Sequence, residues 1–293
     1  MICTPKYLLF FAVLTIAVAA TVQASEVNDK YKIHKNVVFA KADSHELALD
    51  LYLPEAKNPL LVVWVHGGAW HSGTRDSPPL FSAESGIAIA SVDYRLSTQA
   101  TFPAAIHDIK AAVRFLRANG KKYGYQTKNI AIWGSSAGGH LAALVGVTNG
   151  NKALEGSLGE YRETSSDIQA IVDHFGPTNF VTILDQSTPH GLSVRAPALA
   201  LFLGAPVQQA RNKAILASPV HHVDAGDPPI LIVHGINDIQ VPINQSHELA
   251  QEYFSRNLDA KLLVIPNAGH SSPVYFKPQE LNKVEEFLKQ HLK

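Results

Sequence analysis

The sequence predicts an α/β fold, a mostly parallel central sheet with helices on both faces and a small insertion or lid. Three observations carry that expectation. Short apolar runs alternate with amphipathic stretches from residue 37 onward. Some runs, such as 60–65 (Leu-Leu-Val-Val-Trp-Val), are apolar at every position, as a strand covered on both faces requires. The chain has 293 residues, 46% of them hydrophobic and 17% charged, which suits one large core better than two small ones.

Residues 1–24 carry Lys6, an apolar run over 8–20 and a Val22-Gln23-Ala24 ending with small residues. They read as a signal peptide, because the apolar run is shorter than the roughly 20 residues that span a bilayer. The expected product is a secreted or periplasmic protein in which 25–293 form a single catalytic domain, with no membrane association after cleavage. Cys3 is the only cysteine, so the mature chain has no disulfide, thiolate nucleophile or cysteine-held metal. A formal net charge of zero removes the basic surplus expected of a nucleic-acid partner.

The elements follow in order. Residues 47–53 alternate in the strand manner, and 60–65 and 87–92 are buried-strand runs. Residues 103–119 place Ile106, Ile109, Val113 and Leu116 at helical spacing. A strand over 129–133 runs into Gly134, and the small apolar stretch 137–147 predicts a helix after it. Further on, 168–175, 230–234 and 261–265 read as strands, 246–257 and 279–292 as helices. Between them, 178–223 holds Pro189, Pro197, Pro206 and Pro219 and no strand pattern. It reads as an insertion over the sheet edge, because long irregular connections in compact domains are usually functional.

The chemistry centres on Gly134-Ser135-Ser136-Ala137-Gly138. A serine hydroxyl is a weak nucleophile, so it must sit on a tight turn where a base can take its proton. Glycines at 134 and 138 remove the Cβ atoms that would collide in a sharp strand-to-helix bend. A glycine-rich turn can merely join two elements, but here a strand precedes it and a helix follows, which favours Ser136 as nucleophile. Upstream, 62–65 run into His66-Gly67-Gly68-Ala69-Trp70. That turn can offer the N–H groups of Gly68 and Ala69, beside that of Ala137, to a developing oxyanion. Trp70 is a candidate wall of the substrate pocket, with simple packing as the alternative.

A base and its orienting acid are expected on later loops. Asp238 falls just past the 230–234 strand and His270 just past the 261–265 strand. His270 is one of fourteen histidines, and its position after the last strand singles it out. Asp224 and Asp227 precede their strand, so Asp238 is preferred. His140, one helical turn after Ser136, is assigned to packing. His66 and the pair His221-His222 show no metal-ligand spacing, and no metal or cofactor is expected.

HGGAW, VDYRL, FPAAIHDIKAAVRFL, GSSAGGHLAAL and HGINDIQVP occur in that order. Together they resemble the α/β-hydrolases of the hormone-sensitive-lipase-like branch, and among them bacterial acetylxylan and feruloyl esterases. The resemblance runs from about residue 47 to the C-terminus. It implies the α/β-hydrolase fold, a serine esterase with Ser136, Asp238 and His270 as triad, and a small-molecule or polysaccharide-linked ester as substrate. The sequence departs from the branch at Ala69, where a third glycine is common. The HGGxW form also occurs in arylformamidases, and prolyl-oligopeptidase-like peptidases share the catalytic domain, so amide and peptide hydrolysis stand as alternatives. A non-enzymatic hydrolase-like module is disfavoured by the presence of all three triad positions.

Overall fold

The computed structural model describes residues 30–293, so the signal-peptide reading of 1–24 lies outside the described residues. Eight strands form one sheet: β1 (Tyr31–Ala42), β2 (His45–Pro54), β3 (Leu60–Val65), β4 (Ile87–Val92), β5 (Ile130–Ser135), β6 (Ala170–His174), β7 (Ile230–Gly235) and β8 (Ala260–Ile265). Their spatial order is β1-β2-β4-β3-β5-β6-β7-β8. β1 pairs antiparallel with β2, and β2 with β4. From β4 to β8 every pairing is parallel. The helices are α1 (Ala104–Tyr123), α2 (Ala137–Gly146), α3 (Lys152–Glu155), α4 (Ile183–Gln186), α5 (Pro189–Leu203), α6 (Arg211–Leu216), α7 (Asn244–Ser255) and α8 (Pro278–Leu292).

β3 shows why a strand here is apolar throughout. Side chains alternate faces along a strand, and Leu61, Val63 and Val65 enter one apolar cluster with Ile106, Ile109 and Val113 of α1 and Leu141 of α2. Val62 and Trp64 enter the opposite cluster with Trp133 and with Val284, Phe287 and Leu288 of α8. Both faces are covered, so neither can be polar.

Two regions differ from the sequence expectation. β1 was not expected as a strand; it is an edge strand with many exposed positions, and register shifts between His34 and Val37 and between Val38 and Ala40 break its alternation. Residues 178–223 carry α4, α5 and α6, where proline content suggests irregular chain. Pro189 occupies the first turn of α5, where no N–H is needed, and the Thr188 hydroxyl caps that turn by accepting from the Gly191 amide at 3.0 Å. Pro197 lies inside α5, and Gly204 ends the helix in the left-handed conformation at φ 84°. α5 packs where strands end: its Gly191 sits against the Ile239 carbonyl beyond β7, and its Phe202 stacks on Trp70 beyond β3 at 4.9 Å.

Candidate active site

Ser136 stands between β5 and α2 with φ 54° and ψ −120°, a conformation that L-residues rarely hold without support. Its amide donates to the His174 carbonyl at 2.8 Å and its carbonyl accepts from the His140 amide at 3.0 Å, so the turn is fixed from both sides. The neighbouring glycines are there because chains touch. A Cβ on Gly138 would lie 2.0 Å from the Val65 carbonyl oxygen, and one on Gly134 would lie 2.2 Å from that of Gly138. β3, β5 and α2 thus meet with no room for a methyl group, and Ser136 sits at their junction.

The Ser136 hydroxyl donates to His270 Nε2 at 2.8 Å. The opposite ring nitrogen, Nδ1, donates to Asp238 Oδ2 at 2.6 Å. Asp238 and His270 reach this geometry because their loops are bound to each other. The Asn237 amide donates to the Ala268 carbonyl at 3.0 Å and that of Ile236 to Ile265 at 3.3 Å. Gly235 allows the approach, since a Cβ there would sit 2.3 Å from the Ala268 oxygen. Phe175 meets the His270 ring edge-on at 5.0 Å.

Asp238 is sealed from solvent. Burial pushes its carboxyl pKa up, but donors from His234, His270 and the Val241 amide outweigh that and hold it well below the usual carboxylate range. Oδ1 accepts from the amides of Gln240 and Val241, each at 2.9 Å. His234 was not picked out from the sequence. Its Nε2–H points at Asp238 Oδ2 (3.2 Å) and the Val241 carbonyl (3.0 Å), while Nδ1 accepts from Ser246 Oγ at 2.6 Å. Its signal was its place four residues before Asp238 at the end of an apolar strand, which reads equally well as a core histidine.

The 66–70 turn lies against the serine: a Cβ on Gly67 would be 3.4 Å from Ser136 Cβ. Gly68, Ala69 and Trp70 all have positive φ (112°, 50° and 62°), a conformation that the two non-glycine residues hold only with support from their surroundings. The turn is pinned by its carbonyls. That of Gly68 accepts from the amides of His71 and Ser72, and that of Trp70 from the Ser97 amide. Among the described residues the amides of Gly68, Ala69 and Ala137 have no protein acceptor. Trp70, a candidate for pocket wall or for packing, is fully buried, with Nε1 donating to His140 Nδ1 at 3.0 Å. His140 donates from Nε2 to the Ala217 carbonyl at 2.7 Å, and burial lowers its pKa to about 4, so it is a neutral packing residue.

The site makes a comparison with known proteins informative. The BD-FAE family model matches residues 49–253, well over half of the chain. Esterase LipC of Mycobacterium tuberculosis is 32% identical over 252 residues, which are 81% of this chain and 60% of LipC. The chain therefore spans only about three fifths of that relative. A solved carbohydrate esterase from gut microbiota, in truncated form, superposes with a TM-score of 0.81 at 33% identity, covering 90% of this chain and 97% of the other. A bifunctional GH43-CE protein of Bacteroides eggerthii gives a TM-score of 0.79 at 32% identity over 89% of this chain and 35% of its own. The matched span holds the strand that ends at the Ser136 elbow and the loop of Asp238, and by this match the chain belongs to the BD-FAE family, built on the α/β-hydrolase fold.

Proposed function

We propose that the protein is a serine carboxylic-ester hydrolase that removes short acyl or hydroxycinnamoyl groups from plant polysaccharides. The observation that carries the chemistry is the continuous hydrogen-bonded line from Ser136 through His270 to Asp238. His270 Nε2 takes the hydroxyl proton as Oγ attacks the ester carbonyl, and the amides of Gly68, Ala69 and Ala137 receive the oxyanion. The imidazolium returns the proton to the departing alcohol, leaving an acyl group on Ser136. Water then attacks, gives its proton to His270, and the acid leaves as the proton returns to Ser136. Asp238 holds the ring in the Nδ1–H tautomer throughout. The resemblance to a carbohydrate esterase over nearly the whole of both chains supports the polysaccharide part of this reading.

Ser136→Ala is expected to abolish 4-nitrophenyl acetate turnover, and full turnover in that variant refutes the mechanism. Acetylated xylan, methyl ferulate, longer 4-nitrophenyl esters, formylkynurenine and aminoacyl-proline amides, assayed in parallel, test the substrate class. A preference for formylkynurenine or the amides over every ester overturns it. Export belongs to the same proposal; a mature protein recovered from the periplasm or medium with residue 25 at its N-terminus supports it.

A further inference from the structure

Arg195 is the most conspicuous group that the mechanism leaves unused. It is 2% exposed, and its Nε and Nη1 are sealed from solvent with no acceptor among the described residues. A guanidinium keeps its proton under all ordinary conditions, so this is a buried cation without a hydrogen-bonded counter-ion, an arrangement normally costly unless a partner arrives.

Its place on α5 says where that partner comes from. The buried positions of α5 include Gly191, Arg195, Leu199 and Phe202, which recur at helical spacing and form one stripe. A Cβ on Gly191, one turn before Arg195, would lie 2.9 Å from the Ile239 carbonyl oxygen and 3.4 Å from that of Gln240, directly after Asp238. The Thr188 hydroxyl donates to the same Ile239 carbonyl at 3.0 Å. Phe202, about 10 Å further along the helix than Arg195, stacks on Trp70, which directly follows Ala69. The stripe therefore runs from the loop of Asp238 to the 66–70 turn, and Arg195 lies on it between the two ends. Burial works against the charge of Arg195, and the Asp238 carboxylate is the acidic group that offsets part of that cost.

We infer that Arg195 is a specificity-determining residue, receiving an anionic carboxylate borne by the acyl or alcohol half of the ester while Ser136 attacks. This rests on the esterase reading above. A carboxylate matches the planar fork of the guanidinium and supplies the missing charge, whereas neutral hydroxyls supply hydrogen bonds alone.

The test compares matched substrates: mono-4-nitrophenyl adipate with 4-nitrophenyl hexanoate for the acyl half, and 4-carboxyphenyl acetate with 4-(methoxycarbonyl)phenyl acetate for the alcohol half. The wild type is expected to favour the anionic member of at least one pair by about tenfold or more in kcat/KM, mostly through KM. In Arg195→Gln and Arg195→Met that preference falls to near unity, while turnover of the neutral member changes only a few-fold; Arg195→Lys keeps part of it. No preference in either pair for the wild type overturns the inference without any variant having to fold, and so does a preference that survives in Arg195→Gln. Ser136-dependent turnover of 4-nitrophenyl acetate reports separately on the esterase reading.

Discussion

At the residue scale, two groups beside the serine show how burial and hydrogen bonding set charge. Asp238 is held anionic by four donors, so its contribution to stability is present above the unfolded carboxylate value of about 4 and is lost as pH falls below it. Among the described residues His174 has no such partners. Both of its ring nitrogens are buried there without a hydrogen-bond partner, and burial lowers its pKa to about 3. The folded protein therefore keeps His174 neutral while the unfolded chain takes a proton below about pH 6.5, so stability drains away as pH falls through that value. By pH 5 the loss from this one residue is about 2 kcal/mol. The ring is surrounded by Trp133, Phe175, Tyr275 and Phe276, and its backbone carbonyl, which holds the Ser136 amide, survives substitution. His174→Phe is expected to match or exceed the wild type in urea midpoint at pH 7 and to exceed it clearly at pH 5. Equal losses for both proteins between pH 7 and pH 5 refute the assignment.

At the element scale, the site depends on how closely β3, β5 and α2 converge. Gly138→Ala puts a methyl group 2.0 Å from the Val65 oxygen, where backbone meets backbone and no side chain can swing away. The elements must separate, at a cost of about 2 kcal/mol or more, and Ser136 moves relative to His270. The expected result is a kcat for 4-nitrophenyl acetate lowered by at least tenfold with KM nearly unchanged, together with a lower urea midpoint. Wild-type kcat in a folded variant refutes this account. The same contacts explain what a reader of the sequence could see. Glycines forced by close backbone approach leave a local signature, and strands apolar on both faces leave another, so the elbow, the central strands and the loops of Asp238 and His270 were legible. β1 was not, because an edge strand with bulges has no regular alternation. α5 was not, because Pro189 and Pro197 look like breakers until the capping bond of Thr188 is known. His234 and Arg195 escaped for a different reason: a histidine on an apolar strand and an arginine in a proline-rich stretch carry meaning only through what surrounds them in three dimensions.

At the scale of the whole molecule, one sheet separates two apolar clusters and joins the parts of the site that they support. α1, α2 and α5 pack on one side with Trp70 among them. α8 packs on the other with Trp64 and Trp133, whose rings meet edge-on at 4.9 Å. These are all three tryptophans of the chain, so each side of the sheet has its own fluorescent reporter. Because β3 and β5 feed alternate side chains into both clusters, neither cluster can lose its packing without exposing a strand of the other, and residues 30–293 are expected to unfold in urea as one cooperative unit. Trp70→Phe leaves only the reporters of the α8 side, and Trp64→Phe combined with Trp133→Phe leaves only the reporter of the α5 side. The two fluorescence transitions are expected to superimpose, each normalised to that variant's own loss of circular dichroism. Ester turnover is expected to vanish in the same range, since Ser136, Asp238 and His270 follow β5, β7 and β8 of the shared sheet. A Trp70 transition that precedes the α8-side transition, with dichroism mostly retained, would show instead that α5 and its neighbours detach first and that the helices above the strand ends form a separable layer.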